Sequence, residues 1–171
     1  PEYKPEPRNT DMTRRPRYAR YATALLGLSL ALLLVGCAGP KEAPPTIAEM
    51  TFRASANLNP GPSGSPAPLV VRVYELAASG NFSEADFFAL FQSDGAALGA
   101  DLLAREELRL VPGAERRIKK TLQPGTRFVG IMGAYREIDR VRWRAVVEIK
   151  PERVNSFDVR VGDTELAVAK K

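Results

Sequence analysis

"AEMTFRASANLNPGPSGSPAPLVVRVYEL", residues 48–76, holds three kinds of chain in immediate succession. First, Met50, Phe52, Ala54, Ala56 and Leu58 alternate with Glu49, Thr51, Arg53, Ser55 and Asn57. A period of two marks a strand with one buried face. At the other end, "LVVRVYEL" (69–76) is apolar on both faces for part of its length, as strands covered on both sides are. Between them, residues 57–68 carry four prolines and two glycines, which forbids a strand. The segment is also longer than the ~2–5 residues that a plain hairpin loop requires. Two strands joined by a long, projecting loop therefore open the domain.

The same two signals recur downstream. "FVGIMGAY" (128–135) is a second doubly apolar run, so it and 69–76 should lie deepest. In "VRWRAVVEI" (141–149), Val141, Trp143, Ala145, Val147 and Ile149 share one face against Arg142, Arg144 and Glu148. "SFDVRV" places Phe157, Val159 and Val161 together, and "TELAVA" ends the pattern with Leu166 and Val168. The strong helical signal is "NFSEADFFALF" (81–91), where Ser83 and Asp86 have capping-box spacing and Phe82 and Phe87 that of a hydrophobic staple. After a break at Ser93-Asp94-Gly95, "LGADLLAREEL" (98–108) reads as a second short amphipathic turn. The expected fold is mainly β: a two-sheet sandwich of about seven or eight strands with a small helical insertion at about 82–105.

Composition narrows the chemistry. The 171-residue chain has one cysteine and no histidine, so neither an internal disulfide nor a Cys/His nucleophile or zinc site can form. No G-x-S-x-G and no Gly-rich phosphate loop is present. Carboxylate pairs remain: Glu106 with Glu107, and Glu137 with Asp139. Neighbours on a strand point to opposite faces, which separates the first pair. The second is surrounded by Arg136, Arg140, Arg142 and Arg144 and reads as a solvated strand end. A carboxylate hydrolase would need Glu106, Glu137 or Asp139 gathered in one cleft. The basic run "ERRIKK" (115–120) suits either attraction to an anionic partner or an edge strand guarded by charge, the latter being preferred. The loop 57–68 is either a binding element, pre-stiffened by proline, or a tolerated surface insertion.

The lone thiol has a telling position. Residues 12–36, "MTRRPRYARYATALLGLSLALLLVG", run from a cluster of arginines into an uncharged stretch, Ala22 to Val35. That order is a secretory signal's, and the stretch is shorter than the ~20 residues a membrane-crossing helix needs. Leu34-Val35-Gly36-Cys37 resembles the lipobox of bacterial lipoproteins, which makes Cys37 the acylated first residue of the processed chain. Residues 1–11 read as a non-native or upstream extension, 12–36 as a signal peptide, 37–46 as a lipidated, proline-rich tether, and 47–171 as the sandwich domain. Removing the six basic and three acidic residues of 1–36 from totals of 25 and 20 leaves 19 against 17, a net +2. The basic character of the whole chain is thus no argument for nucleic-acid binding.

Taken in order, "ASANLNPGPSGSPAPLVVRVYEL", "FSEADFFALF", "LGADLL", "VPG", "FVGIMGAYREID" and "WR", spanning about Phe52 to Arg144, resemble the TssJ (VasD) family of type VI secretion lipoproteins. The resemblance implies a transthyretin-like β-sandwich, without catalytic activity, tethered to the periplasmic face of the outer membrane. It implies no cofactor beyond the covalent diacylglycerol and N-acyl lipid on Cys37. The implied partner is the periplasmic C-terminal region of the inner-membrane protein TssM, in a complex with TssL, met through the loop between the first two strands. Carried over, the contact residues are Asn59, Pro60, Gly61, Pro62, Ser63, Gly64, Ser65 and Pro66. Where family members often carry a basic residue before the proline, this chain reads "GSPAP", so the resemblance does not carry a charged contact over to that spot. The alternative is a pilotin-like or assembly lipoprotein of another envelope complex.

Overall fold

Strand β1 (Ile47–Ala54) lies at the centre of the first of two four-stranded sheets in the computed structural model, which describes residues 43–171. Cys37, the signal segment and residues 37–42 of the tether fall outside the described residues. The remaining elements are β2 (Leu69–Leu76), α1 (Gly80–Glu84), α2 (Phe87–Leu98), β3 (Leu102–Leu110), β4 (Glu115–Thr121), β5 (Phe128–Gly133), β6 (Arg144–Glu148), β7 (Val154–Val161) and β8 (Leu166–Lys170). One sheet has the order β4-β1-β7-β8, the other β3-β2-β5-β6. Among the described strands, β1 and β7 pair parallel and the other neighbours antiparallel. The expected two-sheet sandwich with a helical insertion is the observed architecture.

The core follows the sequence periods. Ala48, Met50 and Phe52 of β1 meet Phe157, Val159 and Val161 of β7 in one layer, facing Leu69, Val71, Val73, Val129 and Ile131 of the second sheet. The opposite faces of β2 and β5 are covered as well, because the helical insertion lies against them: Tyr74, Leu76 and Met132 pack with Phe82, Phe87, Leu90 and Leu98. This explains why both strands are apolar on two faces. Each such side chain contributes about 1.5–3 kcal/mol on full burial. Gly130 permits the close approach, since a Cβ there would sit 2.9 Å from the Phe82 ring.

Three local expectations require correction. The helical insertion spans Gly80–Asp101, the last turn being 3₁₀, and not 82–105. From Leu102 the chain is strand β3, because Leu108 and Leu110 enter the core and residues 102–110 pair with the whole of β2. Pairing overrides a local helix-like pattern. The α2 cap is Asp86, whose carboxylate accepts from Ala89 N–H at 2.9 Å, whereas Ser83 lies inside α1. Finally, β1 stops at Ala54, and Leu58 returns to the core from the loop. The break expected at 93–95 is a kink at Ser93 within α2.

β4 is an edge strand, as "ERRIKK" suggested, and Glu115, Arg117, Lys119 and Lys120 form ion pairs within the chain. Lys119 pairs with Glu49 at 2.8 Å and Arg117 with Glu115 at 2.7 Å. Lys120 bridges Glu75 at 2.8 Å and Glu106 at 3.1 Å. Among the described residues, no helix is long and apolar enough to cross a membrane.

Candidate functional site

The β1–β2 connection, residues 55–68, is a projecting arm with a fastened root. Leu58 and Ala67 are buried, and Ala67 N–H donates to the Leu58 carbonyl at 2.9 Å. Further out, Gly61 N–H donates to Ser65 O at 3.0 Å and Gly64 N–H to Gly61 O at 2.8 Å. The turn is closed by Gly64 at φ 76°, a region that glycine enters without steric cost. Pro62, Ser63, Gly64, Ser65 and Pro66 form the exposed tip.

The eight residues proposed for contact therefore divide. Asn59 is 5% exposed and fastens the arm. Its Oδ1 accepts from Arg136 N–H at 2.9 Å and its Nδ2 donates to Pro68 O at 3.1 Å. It holds φ 48°, a left-handed conformation that asparagine tolerates better than most residues. Pro60 and Gly61 are half-buried beside it, and a Cβ on Gly61 would come within 2.8 Å of Arg136 Nη1.

Other loops gather at this end. Ser55 joins the arm's root to two of them, donating its N–H to Val161 O at 2.9 Å and accepting from Gly113 N–H at 3.0 Å. Between the root, the β5–β6 segment (134–143) and the β7–β8 turn (162–165) lies a mainly apolar cavity of about 160 Å³. Its walls include Asn59, Pro60, Tyr135, Val141 and Thr164, with Glu137, Arg140 and Asp163. Tyr135 is buried, and its hydroxyl donates to Gly162 O at 3.0 Å. Burial, reinforced by nearby Asp163 and Glu165, pushes its phenol far above the ordinary range, so it stays a neutral donor. Sequence reasoning missed Tyr135, Arg136, Val141 and Thr164; they reach the loop only through tertiary contact, and no local pattern announces them.

The carboxylates singled out from sequence do not converge. Glu106 faces Lys120, and Glu107 on the opposite face pairs with Arg72 at 2.8 Å. Glu137 lines the cavity just described, while Asp139 borders a separate hollow with Phe87, Phe88, Trp143 and Arg144. No shared cleft brings Glu106, Glu137 and Asp139 together.

Comparison with known proteins decides the lineage. Residues 46–164 match the family model T6SS-SciN, described as type VI secretion lipoprotein, VasD, EvfM, TssJ. The chain belongs to the TssJ family of type VI secretion lipoproteins. It is 39% identical to TssJ1 from Pseudomonas aeruginosa, with 75% of this chain and 98% of that one covered at a TM-score of 0.73. It is 25% identical to Serratia marcescens Lip, described as a membrane bound component of the type VI secretion system, over 74% and 98% at 0.69. A chain in the structure described as the T6SS protein TssM C-terminal domain from EAEC matches at 26% identity over 72% and 98%, with a TM-score of 0.60. No curated protein matches the chain at a significant level. In this TssJ-family chain, the matched span includes the whole β1–β2 arm and every wall of the cavity.

Proposed function

We propose that this TssJ-family lipoprotein is fixed to the outer membrane by acyl chains on Cys37. There it presents the loop end of its sandwich to the periplasmic C-terminal region of TssM, in a complex that includes TssL. Its role is structural: it binds and positions a partner and catalyses nothing. The carrying observation is the arm itself, which exposes Pro62–Pro66 while its root is held by Asn59, Leu58 and Ala67. A proline-stiffened tip on a fixed root loses little conformational freedom on docking, so more of the contact energy becomes affinity. Support also comes from the likeness to a chain in a structure described by the TssM C-terminal domain.

Anchoring follows from acyl arithmetic. Each buried methylene contributes ~0.8 kcal/mol, and one chain alone binds reversibly, so the several chains of a lipoprotein hold durably. The test is a pull-down from detergent-solubilised envelopes with the lipidated chain as bait, co-purified chains being identified by mass spectrometry. TssM is expected from the wild type. Substitution of Ser63 and Ser65 by bulky residues at the tip should weaken its recovery, and Cys37→Ser should move the protein out of the membrane fraction. Recovery of outer-membrane components alone would overturn the TssM assignment in favour of a pilotin-like role.

A further inference from the structure

We propose that the 160 Å³ cavity beside the arm is an anchor pocket that receives one apolar side chain, of leucine or phenylalanine size, from the protein segment docked across this end. This rests on the partner-binding assignment above and specifies its chemistry. Size comes first: a cavity of ~150 Å³ holds a benzene ring, whereas small-molecule sites run to ~300–1,000 Å³. The volume matches that of one apolar side chain.

The buried polar groups of its lining are already engaged. Both ends of the Asn59 amide are bonded, to Arg136 N–H and Pro68 O, and the Tyr135 hydroxyl is committed to Gly162 O. Pro60, Tyr135 and Val141 contribute to a lining that is mainly apolar. A bound water needs about two to four polar partners, so this lining favours an apolar group. An apolar entrant also leaves no buried donor or acceptor stranded.

The margin is the reverse. Glu137, Arg140 and Asp163 stand at the walls, and none of them forms an ion pair among the described residues. Carboxylates and guanidinium of mixed sign make a hydrated border around a dry centre. That is the anatomy of an interface hot spot, in which a partner's side chain fills a pocket and polar neighbours exclude water. The exposed tip lies on the same arm as Pro60, so a segment gripping the tip has the pocket within reach.

Two obstructing variants test the pocket. Val141→Phe fills it from within, and Thr164→Trp closes it from the exposed β7–β8 turn. Binding of the lipidated chain to the purified TssM periplasmic C-terminal region should weaken about ten-fold or more in each, with an unchanged melting temperature for Thr164→Trp. A benzophenone-bearing residue introduced at Glu165, the chain neighbour of the wall residue Thr164, should cross-link in cells to a TssM peptide containing a leucine, phenylalanine or similar apolar residue. Undiminished binding by both obstructed variants would overturn the pocket while leaving the TssM assignment standing. So would a cross-linked TssM peptide that carries charged and polar residues alone. Wild-type chain that neither binds TssM nor cross-links to it would instead remove the assignment on which the pocket rests.

Discussion

Arg136 donates its backbone N–H to the side-chain Oδ1 of Asn59 at 2.9 Å, joining the root of the projecting arm to the segment that follows β5. The arm is thereby fixed to the central strands of both sheets, through β1 and β2 on one side and β5 on the other. This amide joins the Leu58–Ala67 pairing in holding the root.

Asn59→Ala should consequently destabilise the domain and disorganise the arm together. The substitution removes two hydrogen bonds, leaves the Arg136 N–H and the Pro68 carbonyl without these partners, and places a less tolerant residue at φ 48°. A loss of about 1–3 kcal/mol is expected, read from the urea midpoint at constant slope. Asn59→Gly relieves the backbone and not the hydrogen bonds, so it should recover only a fraction. A variant as stable as wild type would show that the amide is not the fastening described.

Arg144 illustrates what alternation alone conceals. On sequence it belongs to a solvated strand face, yet its guanidinium donates to the carbonyls of Phe82 and Ala85 and stacks 4.6 Å from the Trp143 ring. Burial lowers its pKa from the usual guanidinium value. Arg144→Ala should free the C-terminal end of α1, lower stability by about 1–3 kcal/mol, and red-shift the emission of Trp143. Because Trp143 is the only tryptophan in the chain, the fluorescence reports this contact directly.

The close seat of the insertion on β5 gives a third expectation. Gly130→Ala drives a methyl group into the Phe82 ring, which the surrounding Tyr74 ring, 5.4 Å away between centroids, restrains from retreating. Overpacking of this kind costs about 1–3 kcal/mol. Pairing it with Phe82→Leu should return part of that loss, so the double variant will be less destabilised than the two singles predict together. Strict additivity in thermal unfolding would show that the two groups do not meet.

The elements legible in advance are those whose signal is local. β1, β7 and β8 alternate, β2 and β5 are continuous apolar runs, and the insertion begins with closely spaced phenylalanines; each is visible in a window of ten residues. β3 was not legible, because "LGADLLAREEL" satisfies a helical spacing and only its ladder with β2 makes it a strand. For the same reason the arm could be found but not divided. Asn59 reads like its neighbours in a Pro/Gly segment until a residue 77 positions away takes its Oδ1. The cavity walls come from three separated stretches, and no pattern within one stretch could join them.

Lys120 closes the opposite region of the sandwich and makes stability depend on alkaline pH. Its ammonium lies 2.8 Å from the carboxylate of Glu75, a residue 1% exposed, which also accepts from Gln123 N–H at 2.7 Å and the Thr126 hydroxyl at 3.2 Å. Glu75 sits on β2 and Lys120 on β4, so the pair ties one sheet to the other. Desolvation alone would lower the Lys120 pKa; hydrogen bonds and charge from Glu75 and Glu106 outweigh it, and the net shift is upward. A cationic group with a raised folded-state pKa contributes stability in full below its unfolded value, about 10.4, and loses that contribution as pH rises through the folded value. The melting temperature should therefore fall above about pH 10.4 in the wild type. Lys120→Met strands a buried carboxylate and should cost about 3–5 kcal/mol at neutral pH. In that variant the alkaline fall should shrink. Lys120→Met together with Glu75→Gln removes the stranded charge and should recover much of the loss; failure of the double variant to recover would mean that Lys120 stabilises the sandwich by packing its methylenes and not by compensating Glu75.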